Sequence, residues 1–175
     1  TEDINPIIFL GKMNFLQSNW LDAIFYFYRA LKIDPNNLDA NLYISKSLIQ
    51  MEDYQEAIKI LKYILKHNKN NYDLIFSLGI SYYFIEDYEN ATKYFTESLL
   101  LNSEDYNTYY YLGLSYVAAD SNKKALDAYT KCIDINPNFP LAQYEMGKIY
   151  QLILDDNKAI KHFKLAKRNS SFDDL

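Results

Sequence analysis

The sequence predicts an all-α protein of about ten antiparallel helices, arranged as five tandem pairs. Two observations support this class. Small residues recur at a fixed period of 34 positions, and each period contains two stretches with the apolar spacing of a helix. With 49% hydrophobic and 17% aromatic residues, the 175-residue chain can form a core in every repeat. We expect a single domain over 1–175, with repeats at 4–37, 38–71, 72–105, 106–139 and 140–173.

The period is clearest in two columns of small residues. The first column contains all four glycines of the chain and one serine: Gly11, Ser45, Gly79, Gly113 and Gly147. The second column is alanine in every repeat: Ala23, Ala57, Ala91, Ala125 and Ala159. Glycine inside a helix costs about 1 kcal/mol relative to alanine, so its recurrence at one helical position indicates close packing. We predict that the two helices of a pair touch at these columns, for example at Gly113 and Ala125.

In the first repeat, the apolar spacing predicts one helix over residues 6–18 and a second over 20–33. Pro6 suits the first turn of a helix, where its missing N–H group costs nothing. Ser18 or Asn19 can cap the second helix, because short polar side chains accept hydrogen bonds from the first backbone N–H groups. The first repeat therefore has the signals of a complete helix pair.

The later repeats follow the same plan with local departures. The first repeat ends in the turn sequence Asp-Pro-Asn-Asn at 34–37, and repeat 2 ends in a polar turn at 67–71. Repeat 3 predicts helices over 74–84 and 88–101. Repeat 5 opens at Pro140 and has a less regular end. All connections are short, which favours packing between consecutive helices.

This pattern resembles the tetratricopeptide repeat (TPR) over residues 4–173. The family pattern is W-x2-L-G-x2-Y, then A-x3-F, then P, over 34 residues. The clearest repeat matches it at Leu112, Gly113, Tyr116, Ala125, Tyr129 and Pro137. The family tryptophan is replaced in every repeat, and the closing proline survives only at Pro35 and Pro137. The resemblance implies a right-handed α-α superhelix that binds other proteins, and it implies no enzymatic reaction.

The composition excludes several functional classes. A net charge of −5 and a pI near 5.0 argue against a general surface for nucleic acids or anionic membranes. No stretch approaches the roughly 18 apolar residues that a membrane-spanning helix needs, and the N-terminal sequence lacks the features of a secretory signal. We therefore expect a cytoplasmic protein without membrane insertion. Because the sequence begins with Thr1, we also expect it to be part of a longer chain.

The residues that carry chemistry are too few and too scattered for a catalytic site. The only histidines, His67 and His162, lie three repeats apart, and Cys132 occupies a position that is small in most other repeats. We interpret Cys132 as a buried core residue, and the adjacent acids Asp155 and Asp156 as solvated turn residues. We expect no enzyme activity, no bound metal and no cofactor.

The resemblance implies that the first helix of each repeat lines a concave groove in which a peptide binds. The predicted groove residues are Lys12, Lys46, Phe76, Ile80, Tyr83, Tyr110, Leu114, Tyr144 and Lys148. An apolar and aromatic strip of this kind favours an amphipathic helix or an extended apolar segment as the ligand. The three lysines flank the strip and can pair with acidic residues of the ligand. The alternative is that the apolar members fill the core between repeats.

The resemblance also argues against one known type of TPR ligand. Chaperone-binding members grip a C-terminal carboxylate with a set of Lys, Asn and Arg side chains. In this chain Ile8 and Lys12 stand where that set has Lys and Asn, and Asp73 and Ser77 stand where it has Lys and Arg. A chaperone-tail clamp is therefore not expected.

Three functions remain open from the sequence. The first is a scaffold for protein–protein interaction, and the second is the targeting module of a larger enzyme. The third is a structural assembly element that self-associates through its terminal repeats. Phe9 and Met13 favour the third, because later repeats cover these positions with a preceding helix. The second terminal surface for such self-association is the basic last helix. Its basic residues are Lys158, Lys161, Lys164, Lys167 and Arg168.

Overall fold

The computed structural model describes residues 3–169 and confirms the predicted all-α fold. Over that range it contains ten α-helices and no β-strand. The helices are α1 Asn5–Leu16, α2 Trp20–Ile33, α3 Leu38–Gln50, α4 Tyr54–Leu65, α5 Tyr72–Phe84, α6 Tyr88–Leu101, α7 Tyr106–Ala118, α8 Asn122–Ile135, α9 Pro140–Leu152 and α10 Asp156–Asn169. Each repeat therefore supplies one pair. None of the ten helices is long and apolar enough to cross a membrane.

Asparagine and aspartate side chains begin many of the helices. At the start of α3, the Asn37 Oδ1 accepts a hydrogen bond from the backbone N–H of Ala40 at 3.0 Å. Asp105 accepts from the Thr108 N–H at 2.8 Å at the start of α7. These caps satisfy N–H groups that have no partner inside the helix, and each stabilises its helix by about 1 kcal/mol. Asn19 precedes α2 as predicted, but its side chain makes no capping hydrogen bond.

The turn within each helix pair contains one residue in the left-handed backbone conformation. These residues are Ser18, Glu52, Glu86, Asp120 and Leu154, each 34 positions after the last, with φ between 53° and 63°. The residue after each one donates its N–H to a carbonyl five positions earlier, as Asp53 does to Leu48 at 2.8 Å. This is the Schellman geometry, which ends a helix and reverses the chain within a few residues. It explains why α1 ends at Leu16, before the predicted Ser18.

The glycine column is a site of close packing, and an aromatic ring lies nearest to where a β-carbon would stand. A β-carbon on Gly11 would lie 2.7 Å from the Phe27 ring, and one on Gly113 would overlap the Tyr129 ring. The nearest neighbour of the glycine is thus the large residue four positions after the alanine. The alanine itself lies one helical turn away from that ring and is fully buried, as Ala125 is.

The part of the chain that the structure describes consists of two compact units, which divide between residues 94 and 95 within α6. In the first unit, α1 contacts α3 and α3 contacts α5, so the first helices of successive repeats form one inner row. The core of this unit is built around Phe27, Ala30 and Ile44. The core of the second unit is built around Tyr129 and Met146. A single domain over all five repeats stays a prediction.

Candidate peptide-binding surface

A ladder of ion pairs follows the first helices of the N-terminal unit. The Lys12 Nζ lies 2.6 Å from the Asp39 Oδ2, and the Lys46 Nζ lies 2.9 Å from the Asp73 Oδ1. In both pairs the partners are 27 residues apart, so each pair links the middle of one first helix to the start of the next. Tyr43 lies between them, with the two ammonium groups 5.2 and 5.8 Å from the centre of its ring.

The ion pairs give two of the predicted lysines acidic partners within the chain. The hydrogen bond that the Lys12 ammonium donates to Asp39 raises the pKa of Lys12, and this effect outweighs the desolvation that would lower the pKa. More than half of each carboxylate side chain is exposed, so each pair contributes at most about 1 kcal/mol. Lys12 and Lys46 therefore already have intramolecular acidic partners. Their pairing with acidic residues of a ligand stays a prediction.

The predicted residues of α5 differ in how much surface they offer. Ile80 is only 8% exposed and belongs to the core. Phe76 is half-buried and stacks on Tyr72, with ring centres 5.7 Å apart. Tyr83 is half-buried and meets the edge of Phe84 at 5.3 Å. The two aromatic residues, rather than Ile80, present the accessible part of this helix.

Phe84 is an exposed aromatic residue that the sequence analysis did not select. Its ring stacks on Tyr54, the first residue of α4, with centres 5.0 Å apart. This contact packs α5 on the preceding repeat, and Phe84 remains 47% exposed. A run of aromatic residues at the end of α5 was the available signal, since Tyr82, Tyr83 and Phe84 are consecutive.

The C-terminal unit places the other predicted residues on α7 and α9. Tyr110 is half-buried and packs edge-on against Phe139, with ring centres 5.2 Å apart. Leu114, one helical turn further along α7, is also half-buried. Tyr144 on α9 is 43% exposed, the largest exposed fraction among the predicted aromatic residues. It is therefore the most accessible aromatic residue of the predicted set.

Lys148 lies directly beside this anchor. Its Nζ is 5.6 Å from the centre of the Tyr144 ring and 2.9 Å from the Glu145 Oε2. Like the lysines of the N-terminal unit, it combines an aromatic ring with a carboxylate partner. This arrangement therefore occurs at the lysines of α1, α3 and α9.

Cys132 and His162 occupy structural positions within the packed helices. Burial, with a smaller effect of Asp105, raises the pKa of the Cys132 thiol to about 12, so the residue is a core thiol as predicted. The His162 Nδ1 lies 2.7 Å from the Gln143 Oε1, and its ring stacks on Tyr150. Burial and the nearby Lys161 lower the pKa of His162. Within residues 3–169, no three His, Cys, Asp or Glu side chains are grouped so that they could hold a metal ion.

Comparison with known proteins agrees with this geometry. Two profiles of the tetratricopeptide repeat match residues 15–78 and 76–140. The crystal structure of MamA superposes with a TM-score of 0.84 and 28% identity, over 91% of this chain and 94% of that one. A second crystal structure of MamA protein gives 0.84 and 26% identity, over 95% of this chain and 91% of that one.

A further structure extends the similarity in fold over the whole length. MamA residues 41 to the end, from Desulfovibrio magneticus RS-1, gives a TM-score of 0.90 at 19% identity, over 100% of this chain and 99% of that one. No curated protein matches the sequence. The 34-residue period, the helix pairs and the matching profiles show that the chain belongs to the tetratricopeptide repeat family, whose repeats form protein-interaction scaffolds.

Proposed function

We propose that the chain is a non-catalytic scaffold that binds a peptide or helix of another protein along its first helices, the helices that line the concave groove in this family. The observation that carries the proposal is a set of partly accessible aromatic side chains on α5, α7 and α9. These are Phe76, Tyr83, Tyr110 and Tyr144. Aromatic residues with one packed face and one accessible face are common anchors of protein interfaces.

The alternative, that these residues only fill the core, fits some members better than others. Ile80 has the low exposure of a core residue. Tyr144 does not, because it keeps 43% of its surface accessible although the ring of Phe163 and the ammonium group of Lys148 lie beside it. The proposal therefore rests on the aromatic residues and gives Ile80 a supporting role beneath them.

The charges of the surface indicate the chemistry of the ligand. Lys12, Lys46 and Lys148 each lie beside a carboxylate of the same chain, so the first helices carry little uncompensated charge at these points. An amphipathic helix or an extended segment with apolar anchors fits such a surface. Acidic residues of the ligand would exchange with Asp39 or Asp73 and would mainly affect the rate of association.

A peptide-display selection tests the proposal. The wild-type chain is the bait, and enriched peptides are titrated by fluorescence anisotropy against a variant with Phe76→Ala, Tyr110→Ala and Tyr144→Ala. We expect the variant to lose at least about tenfold in affinity, since anchors of this type often contribute more than 1 kcal/mol. Circular dichroism checks that the variant keeps its helicity.

Tyr63 supplies the matched control, because it is an exposed tyrosine on a second helix, α4. The variant Tyr63→Ala should bind the selected peptides like the wild type. Equal binding by the triple variant, or a loss only with Tyr63→Ala, would move the site away from the first helices and contradict the proposal.

Self-association through the ends of the chain is a second candidate function. Phe9, Leu10 and Met13 are exposed on α1, whereas Ile44 and Ser47, the equivalents of Leu10 and Met13 in repeat 2, are buried. An apolar edge of this kind favours stacking on another helix. Sedimentation velocity of Met13→Lys beside the wild type tests it. Association that this variant does not weaken would contradict stacking through the edge.

A further inference from the structure

The outer face of α2 carries an apolar stripe that the peptide-binding surface does not use. Leu21, Phe25 and Tyr28 are 69%, 58% and 49% exposed. Their spacing of four and three residues places them on one line along the helix. They lie on a second helix, and the face of α2 that packs on α1 is formed by other residues, Ala23, Phe27 and Ala30.

The stripe is specific to the first repeat. The four residues equivalent to Phe25 in the other repeats are exposed and charged: Lys59, Lys93, Asp127 and Lys161. The equivalents of Leu21 and Tyr28 are also polar and exposed in all four repeats. The position therefore faces solvent throughout the repeat array, and packing within a repeat does not explain why it is apolar only here. Apolar residues concentrated at such a position indicate an interface.

The charges beside the stripe identify its occupant as a second copy of this chain. Asp22 and Arg29 are exposed and seven residues apart, so they lie on the same edge of the stripe. If two α2 helices pack antiparallel about a twofold axis at Phe25, Asp22 of each copy lies beside Arg29 of the other. The same register places Leu21 against Tyr28 of the second copy and Phe25 against Phe25. A twofold axis makes the Asp22–Arg29 and Leu21–Tyr28 contacts twice and places the Phe25–Phe25 contact on the axis.

We infer that the chain forms a symmetric homodimer through antiparallel packing of α2 on α2 of a second copy. One pair of helices buries an area at the low end of specific interfaces, less than about 1,200 Å² in total. We therefore expect a weak and reversible dimer. The interface leaves the first helices accessible, so dimerisation places two peptide-binding surfaces in one particle. The inference of this dimer does not depend on the function proposed for those surfaces.

Sedimentation velocity of the 175-residue chain from about 1 to 500 µM is the primary test. The wild type should move from monomer to dimer over this range, and Phe25→Lys should remain monomeric. Met13→Lys, on the N-terminal edge, distinguishes this dimer from edge stacking, the competing mode of association, and should dimerise like the wild type. A wild type that is monomeric at every concentration would overturn the inference. So would a loss of dimer with Met13→Lys but not with Phe25→Lys.

Charge reversal tests the antiparallel register. Asp22→Arg alone places two arginines together at each end of the interface, and Arg29→Asp alone places two aspartates together. Each should weaken the dimer at least tenfold, and the double variant should restore it. All of these side chains are exposed on one helix, so the monomers should fold, which circular dichroism verifies. A double variant no stronger than either single variant would contradict this register.

Discussion

The ring of Tyr129 lies directly on Gly113, so close that no β-carbon fits between them. Tyr129 is fully buried and cannot move aside. Gly113→Ala should therefore destabilise the protein by about 1–3 kcal/mol, although alanine is the better helix former. Urea unfolding measures the change. At Gly147 the opposing ring of Phe163 is only half-buried, so Gly147→Ala should cost less. An equal or larger cost at Gly147 would show that ring mobility is not the deciding factor.

The left-handed conformation of Leu154 is a second source of strain. Its φ is 60°, a conformation that costs most residues other than glycine about 1–2 kcal/mol. Because the side chain is 85% exposed, its removal forfeits little burial. Leu154→Gly should raise the free energy of unfolding by about 0.5–1 kcal/mol, after the entropic cost of glycine in the unfolded chain.

Leu152 provides the control for that substitution. It is an exposed leucine that ends α9 and has no positive φ. Leu152→Gly should lower stability by up to about 1 kcal/mol, since glycine disfavours the helix. Thermal unfolding measures the stability of both variants relative to the wild type. A loss of stability in both would contradict the assignment of strain to Leu154.

His162 should make stability depend on pH. Burial and the neighbouring Lys161 and Lys158 lower its pKa in the folded protein, whereas the unfolded value is about 6.5. Below about pH 6.5 the unfolded chain binds this proton more readily, so its contribution to stability is lost as the pH falls. At pH 7.5 the contribution is fully present. His162→Gln keeps a hydrogen-bonding group near Gln143 and should remove this slope.

Urea unfolding at several pH values between 5 and 8 measures the effect. The difference in stability between the wild type and His162→Gln should shrink toward acid pH. A difference that stays constant across the range would mean that the folded and unfolded pKa values of His162 are equal.

Cys132 should be unreactive in the native protein. Its pKa of about 12 leaves roughly one thiol in 10⁴ ionised at pH 8, and the side chain is fully buried. A thiol reagent such as DTNB should react slowly with the native chain and rapidly in urea. Rapid stoichiometric reaction without denaturant would contradict its place in the core.

Much of the fold could be predicted because the period marks residues whose burial each repeat requires. The helix bounds of α2 and α6 match the predicted 20–33 and 88–101. The left-handed residue of each turn could not be predicted, because Ser, Glu, Asp and Leu occupy that position and share no conformational preference. The backbone conformation there follows from the helix ends that it connects.

The candidate site was harder to predict than the fold. The first-helix register follows from the repeat, but the accessibility of Phe76, Ile80 and Tyr144 depends on how neighbouring rings pack. The ion pair between Lys12 and Asp39 joins two repeats. It could not be predicted from the sequence, because it depends on how the first helices of the two repeats pack side by side. The stripe on α2 does not follow from the repeat pattern, because its three positions are polar and exposed in the other four repeats.

Hydrogen–deuterium exchange with and without a selected peptide tests the central claim most directly, because it reports where the ligand lies on the wild-type chain. We expect added protection in α5, α7 and α9, the helices that carry the partly accessible aromatic residues. Protection confined to second helices such as α4 and α8 would contradict binding along the first helices.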